Sequence, residues 1–170
     1  MGENDDLLAP SIDPSKRKIA VRSVKATNDG GTHTVSHVRD FPPVESDEPD
    51  TLGGTNRAPS PLEMALVSLV SCDGAIIHGV AKAMGFQYSG VEFDCSGQID
   101  VRGPKGVKDV RPYFEKVDLT ITVTTDEPND RFHKLQRNVE FRCPVTNLFV
   151  AAGVEMNVDW VRRTTAAAGD

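Results

Sequence analysis

Residues 60–85 read SPLEMALVSLVSCDGAIIHGVAKAMG, and the architecture turns on them. Ser60 suits a helix N-cap, Pro61 a first turn and Gly85 a C-terminal stop, which bounds a helix over 61–84. Leu62, Met64, Leu66, Val67, Leu69, Val70, Ile76, Ile77 and Val80 cover most of its circumference, so burial on nearly every side is expected. A chain of 170 residues makes one domain of ordinary size and can hardly wrap such a helix alone. Part of the helix is therefore expected to meet a second copy of the chain. Glu63, Asp73, His78 and Lys82 interrupt the apolar run, and a bilayer interior penalises such groups, so a buried helix is expected and not a membrane span.

Strands flank this helix in sequence. Upstream, KIAVRSVKA and THTVSHVR enclose NDGG, whose residues tolerate the positive φ of a hairpin turn. DFPPVESDEPDTLGGTN, residues 40–56, reads as a long surface loop. Downstream, VEFDCSGQIDV and KVDLTITVT alternate as half-buried antiparallel strands. Asn129 or Asp130 is placed to cap a second helix carrying Phe132, Leu135 and Val139, Pro144 opens a short third helix, and VEMNVDW is a last strand. The fold class is α+β, with an antiparallel sheet wrapped around a long central helix. Residues 1–16 and 163–170 read as flexible arm and tail, which leaves 17–162 as a single domain.

With 19 Lys and Arg against 25 Asp and Glu the net charge is −6, so neither nucleic acid nor an anionic membrane is an expected partner. The opening MGENDDLLAPSIDPSKRK lacks the basic start and apolar stretch of a secretory signal. A cytoplasmic location with reduced thiols follows as an expectation.

Three cysteines carry the available chemistry. Cys95 lies on the apolar side of its strand and is expected to be an unreactive core residue. Cys143 directly precedes Pro144, at the cap of a helix, where free N–H groups and the helix dipole favour a thiolate. Cys72 lies mid-helix without that help, but Ser71, Asp73 and Gly74 break the apolar surface there and suggest a lined cleft. Gly74 and Gly79 would let another backbone approach. No cysteine spacing fits zinc, and His33 and His37 alone do not make a metal site. GGTNRAPSP lacks the Lys-Ser/Thr of a phosphate-binding loop, so no bound cofactor is expected.

GGTNRAPSPLEMALVSLVSCDGAI taken with FRCPVTNLF resembles the OsmC/Ohr family of osmotically inducible and organic-hydroperoxide-resistance proteins, in its Pro-x-Glu branch. The resemblance spans roughly residues 17–162. It implies an intertwined homodimer with long central helices wrapped by sheets and active sites at the subunit boundary. By motif, Cys72 would be the peroxidatic and Cys143 the resolving residue, acting on an organic hydroperoxide and reduced by an external dithiol such as a lipoylated protein. The resemblance also implies an acid and an arginine. Leu62 stands ten residues before Cys72, where peroxidase members have Glu, and the acid here is Glu63; Arg57, or Arg39, would stand for the arginine. Glu63 and Cys72 are nine residues apart, roughly 13 Å of ideal helix and on opposite sides, so cooperation between them would need a second subunit or a bent helix start. A dimeric, non-enzymatic protein holding a small apolar ligand in its interfacial cleft is the alternative reading.

Overall fold

The computed structural model describes residues 7–8, 13 and 15–165. It forms two compact units, one of residues 9–67 and one of residues 68–170 with the N-terminal residues to 8. Most of the expected N-terminal arm and residues 166–170 of the expected tail lie outside the described residues. Among the described residues of the expected arm and tail, Leu8 gives its N–H to Asn138 Oδ1 at 2.8 Å, and Thr165 gives its N–H and hydroxyl to Asp126 at 3.1 and 2.5 Å.

In the 9–67 unit the hairpin forms as read, but its first strand is short. β1 (Lys25–Thr27) pairs antiparallel with β2 (Thr34–His37), with Gly30 and Gly31 at φ 102° and 74° in the turn. Ile19, Val21 and Val24 remain 74%, 82% and 61% exposed. β3 (Val44–Ser46) adds antiparallel to β2 inside the stretch expected to be loop. Three residues following Pro42 and Pro43 are too few to show strand alternation.

The rest of that stretch is organised by one buried acid. Asp47 is 0% exposed. Its Oδ1 accepts from Thr32 Oγ1 at 2.5 Å and Glu48 N at 2.9 Å, and its Oδ2 from Thr55 Oγ1 at 2.6 Å, Thr55 N at 3.0 Å and Arg57 N at 3.2 Å. These donors favour the ionised form, Thr32 and Thr55 most, and hold the carboxyl well below its usual range. The loop folds back so closely that a Cβ on Gly54 would collide with the Glu48 carbonyl.

Helix α1 (Pro61–Met84) begins and ends where the sequence places it. Glu63 N donates to Ser60 Oγ at 3.3 Å and Ser60 N to Glu63 Oε2 at 2.7 Å, a reciprocal capping box. At the other end Gly85, at φ 60°, gives its N–H to Lys82 O and Phe86 N–H reaches Ala81 O, a Schellman stop sealed by buried Phe86. The expectation of burial all round is not met within one chain. Only Leu69, Asp73, Ile77, Val80 and Ala81 are buried, a single stripe, while Leu62 and Val67 are 39% and 48% exposed.

In the other unit, β4 (Gly90–Gln98) and β5 (Lys116–Thr124) are antiparallel, and β6 (Glu155–Arg163) joins β5 in parallel. The all-antiparallel sheet anticipated from alternation is thus a mixed one. Alternation reports which face is buried, not strand direction, and the crossover through α2 (Asn129–Arg142) and α3 (Pro144–Ala151) allows the parallel return. Asn129 starts α2 as its first helical residue, and the cap falls on Pro128 without a side-chain bond, not on Asn129 or Asp130. Phe93, Ile121 and Trp160 stand in one cross-strand row and Cys95, Leu119 and Val158 in the next. They form a core with Ile77, Val80 and Ala81 of α1 and Phe132, Leu135 and Val139 of α2.

The depressed Asp47 pKa fixes the sign of an acid effect. Its stabilisation is fully present above the unfolded value of about 3.8 and is lost as pH falls through the lower folded value. Hydrogen exchange corrected for intrinsic rate should show the Thr55 and Arg57 amides protected at pH 6 and losing protection as the solution is taken below about 3.8. Asp47→Ala should leave them unprotected throughout.

Candidate functional site

Helix α1 needs an apolar face toward the sheet, yet its buried stripe contains Asp73, 3% exposed. A carboxylate in that position requires donors. Thr146 Oγ1 donates to Asp73 Oδ1 at 3.0 Å, and the Cys143 sulfur, held by the Thr146 amide, is close enough to influence it electrostatically. Both come from the start of α3, where Cys143 is the N-cap: its Sγ accepts from Thr146 N at 3.5 Å, with Pro144 opening the helix. Thr146 therefore bonds the cap sulfur through its amide and the acid through its hydroxyl. Asn147 closes the turn, giving its side-chain N–H to Cys143 O at 2.8 Å.

The position of Cys72, next to Asp73, brings the two cysteine-bearing segments to one place. Cys72 is half-buried and Cys143 is 0% exposed. Gly74 faces the Phe93 ring, where an added Cβ would stand 3.6 Å from Cζ. The close approach anticipated there is thus to a side chain of β4 and not to backbone, and Gly79 faces open space.

Electrostatics separate the thiols. Burial, then the hydrogen bond to Asp73, push Cys143 up to about 12. The cap that was expected to favour a thiolate is present, but its weak N–H···S contact is outweighed by desolvation and a neighbouring anion. Burial and then the charges of Asp73 and Asp94 raise Cys95 as well. Asp73 itself is raised by burial, with the bonds from Cys143 and Thr146 opposing.

Glu63 and Arg57 belong to the 9–67 unit. There the Glu63 carboxylate is engaged by Ser60 N in the capping box, and Arg57 is exposed with its amide on Asp47. Arg39 is exposed, at φ 53°, with its guanidinium 4.5 Å from the Phe41 ring centroid. Thr146 was missed by the sequence reading, since a Thr three residues after a Cys has no distinctive signal. Asp73 was visible as a polar break but not as a partner of Cys143. A cleft of about 410 Å³ bordered by Gln87, Thr125 and Glu127 contains none of the cysteines. Among the described residues no group of three or more His, Cys, Asp or Glu side chains is placed to hold a metal.

The sequence profile of the family described as OsmC-like protein matches residues 54–159. The chain belongs to the OsmC-like family. Solved structures of the same fold include the OsmC-like protein of Mycoplasma pneumoniae, with a TM-score of 0.73 and 16% identity over 85% of this chain and 98% of that one. The organic hydroperoxide resistance protein OsmC of Legionella pneumophila matches with a TM-score of 0.62 and 16% identity over 86% and 99%. An organic hydroperoxide resistance protein of Elizabethkingia anophelis matches with a TM-score of 0.63 and 13% identity over 88% and 100%. No curated protein matches the sequence. At these identities the likeness establishes the α+β OsmC-like fold.

Within this OsmC-like site the raised Cys143 pKa has a measurable consequence. A thiol harder to ionise in the folded state stabilises fully below its unfolded value of about 9, and that contribution is lost as pH rises toward about 12. Under reducing conditions, urea titrations should therefore show wild type losing stability relative to Cys143→Ala between those limits, with the difference constant below pH 8.

Proposed function

We propose that this OsmC-like protein is a thiol-dependent peroxidase for organic hydroperoxides, with Cys72 peroxidatic and Cys143 resolving. The observation that carries the reading is the Asp73–Thr146 bond, which ties the Cys72 turn of α1 to the Cys143-capped start of α3. Accessibility supports this division of roles: half-buried Cys72 is the thiol open to a substrate, whereas Cys143 is fully buried. In the first step the Cys72 thiolate attacks the distal peroxide oxygen, the O–O bond breaks, and an alcohol leaves with Cys72 as sulfenic acid. Cys143 then displaces hydroxide, which leaves as water, and a Cys72–Cys143 disulfide forms. An external dithiol returns both to thiols by exchange. The apolar surface of α1 suits alkyl hydroperoxides better than hydrogen peroxide.

The working form in this reading is a homodimer in a reducing cytoplasm. Its support is the apolar surface one chain leaves open, on α1 at Leu62 and Val67 and along Ile19, Val21 and Val24. The capping box of Glu63 favours the second reading, a dimeric binding protein for a small apolar ligand, because that carboxylate already has a local use.

Consumption of cumene or tert-butyl hydroperoxide with dihydrolipoamide as reductant decides between the two. Wild type should turn over, Cys72→Ser should fall to the uncatalysed rate, and Cys143→Ser should oxidise once per chain and stop. Absence of wild-type turnover would leave the binding protein. Sedimentation at micromolar concentration should report twice the 18.4 kDa chain mass, with an interface above roughly 2,000 Å²; a folded monomer would contradict the dimer.

A further inference from the structure

We propose that Asp73 is the proton acceptor for Cys143: it takes the S–H proton as Cys143 Sγ attacks the oxidised sulfur of Cys72. This rests on the peroxidase reading for its substrate, but not for its test. The geometry is that of a built acceptor. Asp73 is 3% exposed, adjoins Cys72 in α1, and is oriented by Thr146 Oγ1 at 3.0 Å, while the Thr146 amide holds the sulfur at 3.5 Å. The titratable groups facing it are Cys143 from the α3 cap and Cys95 from β4. A buried thiol with no base would have to shed its proton to water it does not touch, whereas a carboxylate with a raised pKa is a better-matched base for a thiol.

The step balances without a further reagent. With Cys72 as sulfenic acid, the Cys143 S–H proton passes to Asp73 as the S–S bond forms and the S–O bond breaks. Asp73 then gives that proton to the departing hydroxide, and water leaves. Cys143 is oxidised and the Cys72 sulfur reduced, each ending as a disulfide sulfur. The same charge opposes ionisation of Cys143 and Cys95 in the resting protein.

Dithiobis-nitrobenzoate tests this without a peroxide. In a Cys95→Ala background the probe should label Cys72 with release of one thionitrobenzoate. Cys143 should then displace the second thionitrobenzoate and pass its proton to Asp73. Stopped-flow absorbance should show that second phase independent of pH between 6.5 and 8.5 in wild type. In Asp73→Asn, which keeps an oxygen for Thr146, it should slow by about 100-fold or more at pH 7. It should also rise about tenfold per pH unit, because only pre-formed thiolate then attacks. Thr146→Val, which leaves the acid but frees its orientation, should give a smaller slowing with a flat profile, and serves if Asp73→Asn fails to fold. A second phase in Asp73→Asn as fast as wild type or faster would overturn the proposal, since the carboxylate would then only be suppressing the thiolate. Failure of wild type to release a second equivalent would overturn it too. A flat, Asp73-dependent second phase in a protein that consumes no hydroperoxide would uphold Asp73 and remove only the peroxidase reading.

Discussion

A carboxylate buried in the middle of an apolar helix must be answered by donors, and the answer to Asp73 comes from 73 residues further along the chain. An uncompensated buried charge costs several kcal/mol, on the order of a whole domain's margin of stability. The start of α3 therefore has to be delivered to α1, and the other features of this unit serve that delivery. The parallel return of β6 requires a crossover, the crossover is α2 and α3, and the break between those helices is where Cys143 caps and Thr146 turns inward. Pro144 makes the break obligatory, because a proline inside a continuous helix would cost a hydrogen bond and clash with the preceding turn.

The same requirement sorts the cysteines. Burial and the Asp73 charge raise both Cys143 and Cys95. Cys143 illustrates how competing effects are decided by magnitude. A helix N-terminus favours an anion by about 0.3–1 kcal/mol at an exposed site, whereas desolvating a thiolate beside a carboxylate acts more strongly and in the opposite sense. The position of a cysteine at a helix start is thus no evidence for a thiolate until its surroundings are known.

That distinction marks what was legible in the sequence. Helix bounds were readable because Ser60, Pro61 and Gly85 are local signals, and the core faces of β4, β5 and α2 because alternation and helical spacing are local periodicities. β3 was not, being three residues beside two prolines, and neither was the direction of β6, since period-two alternation is the same in both directions. At the candidate site, the residue types at 72, 73 and 143 stood out. The bond joining Asp73 to Thr146 depends on how the crossover packs, which no window of sequence contains. The apolar circumference of α1 states what the helix needs, and one chain supplies only a stripe of it.

Asp47 and Asp73 show why one buried acid is structural and the other is poised. Both are nearly inaccessible, yet their pKa values move in opposite directions. Asp47 accepts five hydrogen bonds, three from backbone amides and two from Thr32 and Thr55 hydroxyls, so its charge is fully solvated by protein and has no use for a proton. Asp73 has one hydroxyl donor, Thr146, with the Cys143 thiol nearby. A carboxylate with few donors in an apolar wall is held at higher free energy, and the nearest thiol proton is that of Cys143, held by the same Thr146. Saturating Asp73 with further donors would stabilise the fold and lower its basicity together. On the peroxidase reading, the sparseness of its bonds is therefore a condition of its use.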